Sequence, residues 1–392
     1  MDAGTLESWL TLFHLTRIPA HLFNGLCHFF GSPAAVLQAD TALLARVGVK
    51  PELVAAIRDF QDRGPNATLR QKLARDFRWQ ATAQCHILTL ECAAYPPLLK
   101  QIPDPPPILY VKGQHEHLAR EQIALVGSRA PSLSGRKNAR AFATGLARAG
   151  YAISSGLALG IDHEGHMGAI EGNSVTLAVL GTGADRIYPR SHKRLAERVV
   201  ERGALVSEFP LGTGPDAWHF PQRNRIISGL SRGVLVVEAA LQSGSLISAR
   251  FALEQGREVF AIPGSIHNPC ARGCHHLIKQ GATLVEAVAD ILTELGNPPA
   301  VMAPAATPAQ ETAVAEHPAG GLSLPCDEAL EQKVLAQLGY EPRTLDSLVA
   351  GTGLPVNELS AMLMTLELKG RIYSEAAGYS LGQVPAWRGP AV

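Results

Sequence analysis

Two arginines flank an asparagine in residues 219–239, HFPQRNRIISGLSRGVLVVEA, just before an apolar run with the character of a buried strand. If a short helix runs from Asn224 to Leu230, Arg223 and Arg225 fall at its first turn. Positive charge there opposes the helix dipole and costs about 0.3–1 kcal/mol unless an anion lies nearby. The economical explanation is that the anion is a ligand, because guanidinium forks match phosphate oxygens bidentately. Arg129, at the end of another apolar run, suits the same crevice. The competing reading pairs one of these arginines with Glu238 or Asp162 inside the domain, the usual condition of a buried guanidinium. Trp218 and Phe220 add aromatic faces that accept any nucleobase, worth about 1–3 kcal/mol per stacked base. Core packing is the alternative, and for Trp218 it is at least as natural.

Glycines collect in the same way. Gly127-Ser128-Arg129 follows one apolar run, Ser155 to Asp162 with Gly156 and Gly160 follows the next, and Gly181-Thr182-Gly183 follows a third. Glycine at such junctions lets the backbone approach a ligand and leaves amides for phosphate. The spacing is neither GxGxxG nor GxxxxGK[ST], so a dinucleotide fingerprint and a P-loop are both unsupported. Other chemistries lack their full complement. Cys270 and Cys274 in HNPCARGCHH have no paired knuckle for structural zinc. SGSL at 243–246 lacks the GxSxG elbow of a hydrolase. His163 and His166 beside Asp162 fit acid–base work and plain capping or packing equally.

Such residues need a scaffold that brings them together. Six apolar runs, QIALVG, YAISSG, VTLAVLG, ALVSEF, GVLVVEA and EVFAIPG, alternate with helical segments over 120–295. Near-continuous apolar strands joined by helices predict a parallel sheet covered on both faces, an extended Rossmann-like α/β domain. In that architecture ligands sit beyond the carboxyl ends of the strands, where the glycines and arginines collect. Residues 1–80 read as short amphipathic helices, with apolar residues at helical spacing on both sides of Gly48, a module of SAM or helix-hairpin-helix type. The stretch 81–119, containing YPPLLKQIPDPPPILYVKG, reads as an extended proline-rich join. Residues 296–325 are rich in Pro and Ala without apolar period, a flexible linker. Residues 326–384 carry three helices and a short hairpin, the outline of a winged helix. Its expected recognition helix, Pro355 to Lys369, sets Glu358 and Glu367 against one lysine, the wrong balance for a DNA groove. That module therefore reads as a protein-contact or packing domain.

The 392 residues suffice for two or three domains. Lys+Arg and Asp+Glu both number 35, so no whole-protein basic field exists and any anion site must be local. With 46% hydrophobic and 18% charged residues, the composition is globular rather than disordered. No run approaches about 18 apolar residues, so no membrane-spanning helix is expected. The start MDAGTLESWLTLFHL lacks the basic region of a secretory signal, and six scattered cysteines fit a reducing cytoplasm.

Taken in order over 120–290, ALVGSR, SGLALGID, VLGTGADRIYP, SEFPLGTGPDAWHFPQRNRIISGLS, VVEAALQSGSLISARFALEQGREVFAIPG and GCHHLIKQGATLV resemble the motif series of the DprA (Smf) family of DNA-processing proteins. The flanking helical module and terminal winged helix are also common in that family. The resemblance implies a cytoplasmic bacterial protein that binds incoming single-stranded DNA during natural transformation. It implies further that the protein protects the strand and helps load RecA, as a homodimer, without cofactor or catalytic turnover. By motif, Gly127, Ser128 and Arg129 correspond to the phosphate-binding loop. Gly156 with Gly160, Gly181 with Gly183, and Phe220, Arg223, Asn224 and Arg225 correspond to the remaining walls of the DNA pocket. Where family members often carry a lysine before the third strand, this chain reads Asn173-Ser174-Val175, and Arg190 or Lys193 is the cation expected to compensate. A rival from another class is an enzyme. SGSLISARFALEQG faintly resembles the loop-helix element of lysine-decarboxylase-like phosphoribohydrolases, with Glu238 and Glu254 cast as the acting carboxylates, although PGG-x-GT-x-x-E is not present as such.

Overall fold

The computed structural model describes residues 3–16, 18–266, 268–296, 328–338, 342–369, 371–375 and 378–381. The chain divides into two compact units, 1–302 and 303–392. The stretch expected as a linker, 296–325, lies outside the described residues apart from Gly296.

Helices α1 (Ala3–Thr16), α2 (Ala20–Phe30), α3 (Pro33–Gln38), α4 (Thr41–Arg46), α5 (Pro51–Arg63) and α6 (Ala67–Gln80) open the first unit. Their starts are set by side-chain caps: Asp40 accepts from the Ala42 N–H at 2.9 Å and Asn66 from the Leu69 N–H at 2.9 Å. Gly48, at φ +82°, turns the chain between α4 and α5. The helices bury Trp9, Phe23, Val36, Leu44 and Ile57 in one core, which continues into the neighbouring sheet through Ile87, Ile108 and Tyr110.

The expected join contains β1 (Cys85–Thr89), α7 (Pro97–Lys100) and β2 (Ile108–Gly113). This corrects the reading of 81–119 as an extended connection. Pro97 occupies the first helical position, where its missing N–H removes no bond, and the run Pro105-Pro106-Pro107 ends just before β2 begins. Prolines here mark element boundaries rather than the absence of elements.

The alternation then follows as β3 (Gln122–Val126), α8 (Leu133–Arg148), β4 (Ala152–Ser155), α9 (Ile161–Glu171), β5 (Thr176–Val179), α10 (Lys193–Arg202), β6 (Ala204–Ser207), α11 (His219–Leu230) and β7 (Gly233–Val236). It closes with α12 (Ser245–Glu254), β8 (Glu258–Ala261), α13 (Arg272–Lys279), β9 (Thr283–Leu284) and α14 (Val288–Leu295). The six expected strands are β3 to β8. Among the described residues they belong to a nine-stranded sheet in the order β1-β2-β6-β5-β4-β3-β7-β8-β9. Pairing is parallel from β6 across to β9 and antiparallel only where β2 meets β6 and β1. Along β3 the side chains alternate between the two covered faces, Ala124 and Val126 in one core and Ile123 and Leu125 in the other. Burial on both faces is why these strands read as unbroken apolar runs.

One feature of this order positions the site. From β3 the chain steps outward through β4, β5 and β6, then returns to the opposite side of β3 with β7. Loops leaving β3 and β7 therefore run in opposite directions and open a crevice beyond the carboxyl ends of these two strands.

The second unit contains α15 (Glu328–Gln337), α16 (Leu345–Thr352), α17 (Val356–Leu368), and the antiparallel pair β10 (Ile372–Glu375) and β11 (Gly378–Leu381). Leu348, Leu359, Leu363, Leu366 and Ile372 form its core. The elements are those of a winged helix. Glu367 accepts from Ser374, while Lys369 and Arg371 both reach Glu331, at 2.9 and 3.0 Å. The positive charge near the end of α17 is thus already engaged within the module.

Candidate nucleic-acid interface

Helix α11 starts at His219, five residues earlier than the sequence suggests, with Pro221 accommodated in its first turn. Arg223 and Arg225 therefore lie inside the helix. Two residues apart on an α-helix, at about 100° per residue, means nearly opposite faces. Arg223 faces the crevice. Arg225 faces away and grips Glu208 with both fork nitrogens, at 2.8 and 2.7 Å, with Asp104 at 3.5 Å from its Nε. Burial alone would lower the Arg225 pKa, but Glu208 more than offsets this and holds it raised. Arg225, expected in the DNA pocket, does not line the cleft, and its partner is internal, Glu208 rather than Glu238 or Asp162.

The crevice is a cleft of about 820 Å³ walled by the loop after β3, the start of α11 and the loop before α12. Gly127, Ser128, Arg129, Phe220, Arg223 and Asn224 all line it. Arg129 is exposed, its guanidinium carbon 5.7 Å from the centroid of the Phe220 ring. Tyr188 approaches the same ring in a tilted contact, centroids 5.6 Å apart. Gly181 lies against that ring, where a Cβ would stand 2.8 Å from Phe220 Cδ1. Asn224 donates to the Gly244 carbonyl at 3.2 Å and so ties α11 to the loop before α12.

Arg223 forms the floor. It is 4% exposed and donates through Nη1 to the Val179 carbonyl. Its guanidinium occupies the space beside Gly156, where a Cβ would come within 2.0 Å of Nη1, so any larger residue there would displace the guanidinium. Burial lowers its pKa to about 10, with Arg129 pushing the same way and Asp162 opposing, so the guanidinium is still charged at neutral pH. Burial pushes the Asp162 carboxyl up, countered by Arg223 and by bonds from the amides of Gly156 and Ala158, at 3.0 and 3.2 Å.

Carboxylates of the protein itself thus take up amides around the cleft. Asp162, in the first turn of α9, accepts from the loop that precedes this helix. At α8, Glu238 accepts from the Ser132 N–H at 2.8 Å and the Ser132 hydroxyl at 2.5 Å. Gly135 leaves room for this carboxylate, since a Cβ there would lie 2.4 Å from Glu238 Cδ. The N-terminus of α8, a helix-dipole site of the kind that a dinucleotide fold offers to phosphate, is filled here from within. The Ser128 N–H bonds the Glu238 carbonyl at 2.8 Å and its hydroxyl accepts from the Ala130 N–H, which fixes the arginine loop instead of leaving those amides for ligand.

The other sequence candidates fall outside the cleft wall. Gly160, at φ +79°, packs beneath the loop, where a Cβ would meet the Ser128 carbonyl at 2.4 Å. Gly183 belongs to a turn held by the Thr213 carbonyl. Arg190 and Lys193 are exposed and do not line the cleft, so compensation by them for Asn173-Ser174 is not supported. His166 is fully buried, bonded to Thr176 at 2.7 Å, with its pKa lowered to about 3 by burial and by neighbouring His163, His192 and Arg223. It stays neutral and suits packing rather than acid–base work. Cys274 is buried against the Val236 carbonyl, its thiol pushed up to about 12. Among the described residues no His, Cys, Asp and Glu group gathers as a metal site. Sequence reasoning missed Tyr188 and the loop Gln242-Ser243-Gly244-Ser245, which line the cleft. The signal for the loop was available: it follows β7, across the crevice from Gly127-Ser128-Arg129.

Residues 86–296 match the family model of DNA recombination-mediator protein A, and residues 298–378 match that of the DprA winged helix domain. Protein Smf of Escherichia coli (strain K12) is 40% identical over 379 residues, 95% of each chain. The DNA processing protein DprA of Streptococcus pneumoniae (strain ATCC BAA-255 / R6) is 47% identical over 200 residues, 51% of this chain and 71% of that one. The X-ray structure of DprA from Streptococcus pneumoniae superposes with a TM-score of 0.64 at 36% identity, covering 72% of this chain and 95% of that chain. Motif order, the strand reversal at β3 and β7, the C-terminal winged helix and these matches agree: the chain belongs to the DprA (Smf) family of DNA recombination-mediator proteins.

Proposed function

We propose that the cleft binds single-stranded DNA, and that the protein thereby protects incoming strands during natural transformation and passes them to RecA. One observation carries this reading: Phe220, Tyr188 and Arg129 line the cleft together at the strand reversal, aromatic surface for a base beside a guanidinium for phosphate. A duplex keeps its bases stacked on one another, so this pairing of groups favours a strand whose bases splay out. Membership of a family whose relatives are named DNA processing proteins supports the same reading.

The protein acts without turnover and in the cytoplasm. Against the phosphoribohydrolase alternative, both Glu238 oxygens are engaged by Ser132, and Glu254 is an exposed partner of Arg250 at 3.5 Å on the outer face of α12. Neither carboxylate is placed for attack on a sugar. Among the described residues no helix is long and apolar enough to cross a membrane. A symmetric homodimer would set two clefts on one strand and raise avidity through effective concentration.

Fluorescence anisotropy on a labelled single strand and its matched duplex tests the proposal. Preference for the single strand by about tenfold or more is expected, the equivalent of one stacked base. Equal binding, or preference for duplex, would overturn it. Acceleration of RecA-dependent strand pairing by the protein tests the RecA half separately, and no acceleration would remove it.

A further inference from the structure

Trp218 is 83% exposed, so core packing, open as an alternative from the sequence, is excluded. Nor is it a loosely held side chain at a loop tip. The Trp218 N–H bonds Asp216 Oδ1 at 3.0 Å and the His219 N–H bonds the Asp216 carbonyl at 3.1 Å, closing a turn that presents the indole at the N-terminus of α11. Its neighbours bracket the cleft rim. Ala217 and Phe220 line the cleft, while His219 turns the other way and packs on Phe209, ring centroids 4.2 Å apart.

We propose that Trp218 is a second base-stacking subsite, outside the cleft, which takes a nucleobase of the same strand after it leaves the cleft past Phe220. The inference rests on the reading of the cleft as a single-strand site and extends it by one step of the strand. Three observations favour a base as the occupant. The indole stands at the cleft rim, with Ala217 before it and Phe220 after it in the chain both lining the cleft. The side chains flanking it, Pro215, Asp216 and Ala217, are exposed but offer no broad apolar patch of the kind that buries a protein partner. The bond from the Trp218 N–H to Asp216 fixes the turn that carries the indole, so a flat exposed ring is offered from an ordered backbone, which suits a stacked base.

The full-length protein with Trp218→Ala and with Trp218→Phe, titrated by anisotropy against oligothymidines of increasing length, provides the test. Trp218→Ala is expected to weaken binding about tenfold on strands long enough to reach past the cleft. It should have no effect on the shortest strands bound, and Trp218→Phe should retain most of the affinity. The dependence on salt should keep its wild-type slope, because no phosphate contact is lost. A single abasic nucleotide moved along the strand should abolish the difference between wild type and Trp218→Ala at one position. Wild-type affinity of Trp218→Ala on every length, with normal single-strand binding, would overturn the subsite and leave the cleft standing. A change in sedimentation of Trp218→Ala without loss of DNA affinity would instead make the indole a protein contact and also overturn it. Failure of the wild type to bind single strands would bring down the cleft reading, and the subsite with it.

Discussion

Replacing Arg225 with alanine is expected to destabilise the protein by about 3–5 kcal/mol while leaving the single-strand affinity of the folded form unchanged. The Arg225 and Glu208 side chains are 7% and 8% exposed and meet through two parallel bonds. Removing one partner strands the other as a buried charge, and that penalty, rather than the worth of the pair, sets the size of the effect. Urea unfolding should show a lower midpoint with an unchanged m-value. Glu208→Gln combined with Arg225→Ala should cost less than the sum of the single changes, since the two act as a unit. A drop in DNA affinity with unchanged stability would return Arg225 to the DNA pocket.

Arg223→Ala should lose stability by a similar amount, about 3–5 kcal/mol, because Asp162 then lies buried without its counter-charge. Unlike Arg225→Ala it should also weaken DNA binding, since Arg223 lines the cleft. The pH dependence separates this cause from simple loss of packing. The Asp162 carboxyl is already raised above its ordinary value, and loss of Arg223 raises it further. A carboxyl with a folded pKa above its unfolded value takes up protons preferentially in the folded state as pH falls. The Asp162 share of the deficit relative to wild type is therefore full above the variant's folded pKa. It narrows as pH falls from there to the wild type's own raised folded pKa and is absent below it, because the unfolded state is common to both proteins. Unfolding free energies of both proteins measured from neutral to acid pH check this, and a deficit independent of pH would contradict it.

Much of the cleft was legible because it depends on strand ends. Strands β3 to β8 are buried on both faces, so each appears as an apolar run, and the residue types at their ends mark the crevice directly. Two kinds of information were less accessible. The first is helix phase. Starting α11 at Asn224 instead of His219 put Arg223 and Arg225 on one anionic ligand, whereas the real helix turns them to opposite faces. A shift in the boundary became a shift in which side chain faces the cleft. The second is long-range pairing. Glu208, the partner of Arg225, comes from the end of β6, and nothing local marks it as a partner for residue 225. Likewise β1 and β2 hide among prolines, because edge pairing is decided by the sheet they join rather than by their own alternation. Tyr188 was missed for a similar reason: it reaches Phe220 only when the loop after β5 and the start of α11 meet in space.

Salt dependence decides whether this cleft grips the backbone of a single DNA strand through Arg129 while Phe220 meets its bases. Binding of a labelled single strand should weaken linearly in log affinity against log salt, with a slope of about −0.7 per phosphate contact. Arg129→Ala, whose exposed guanidinium holds no internal ion pair among the described residues, should leave stability unchanged. It should make the slope shallower by about 0.7. Identical affinity and slope in wild type and Arg129→Ala would contradict the account.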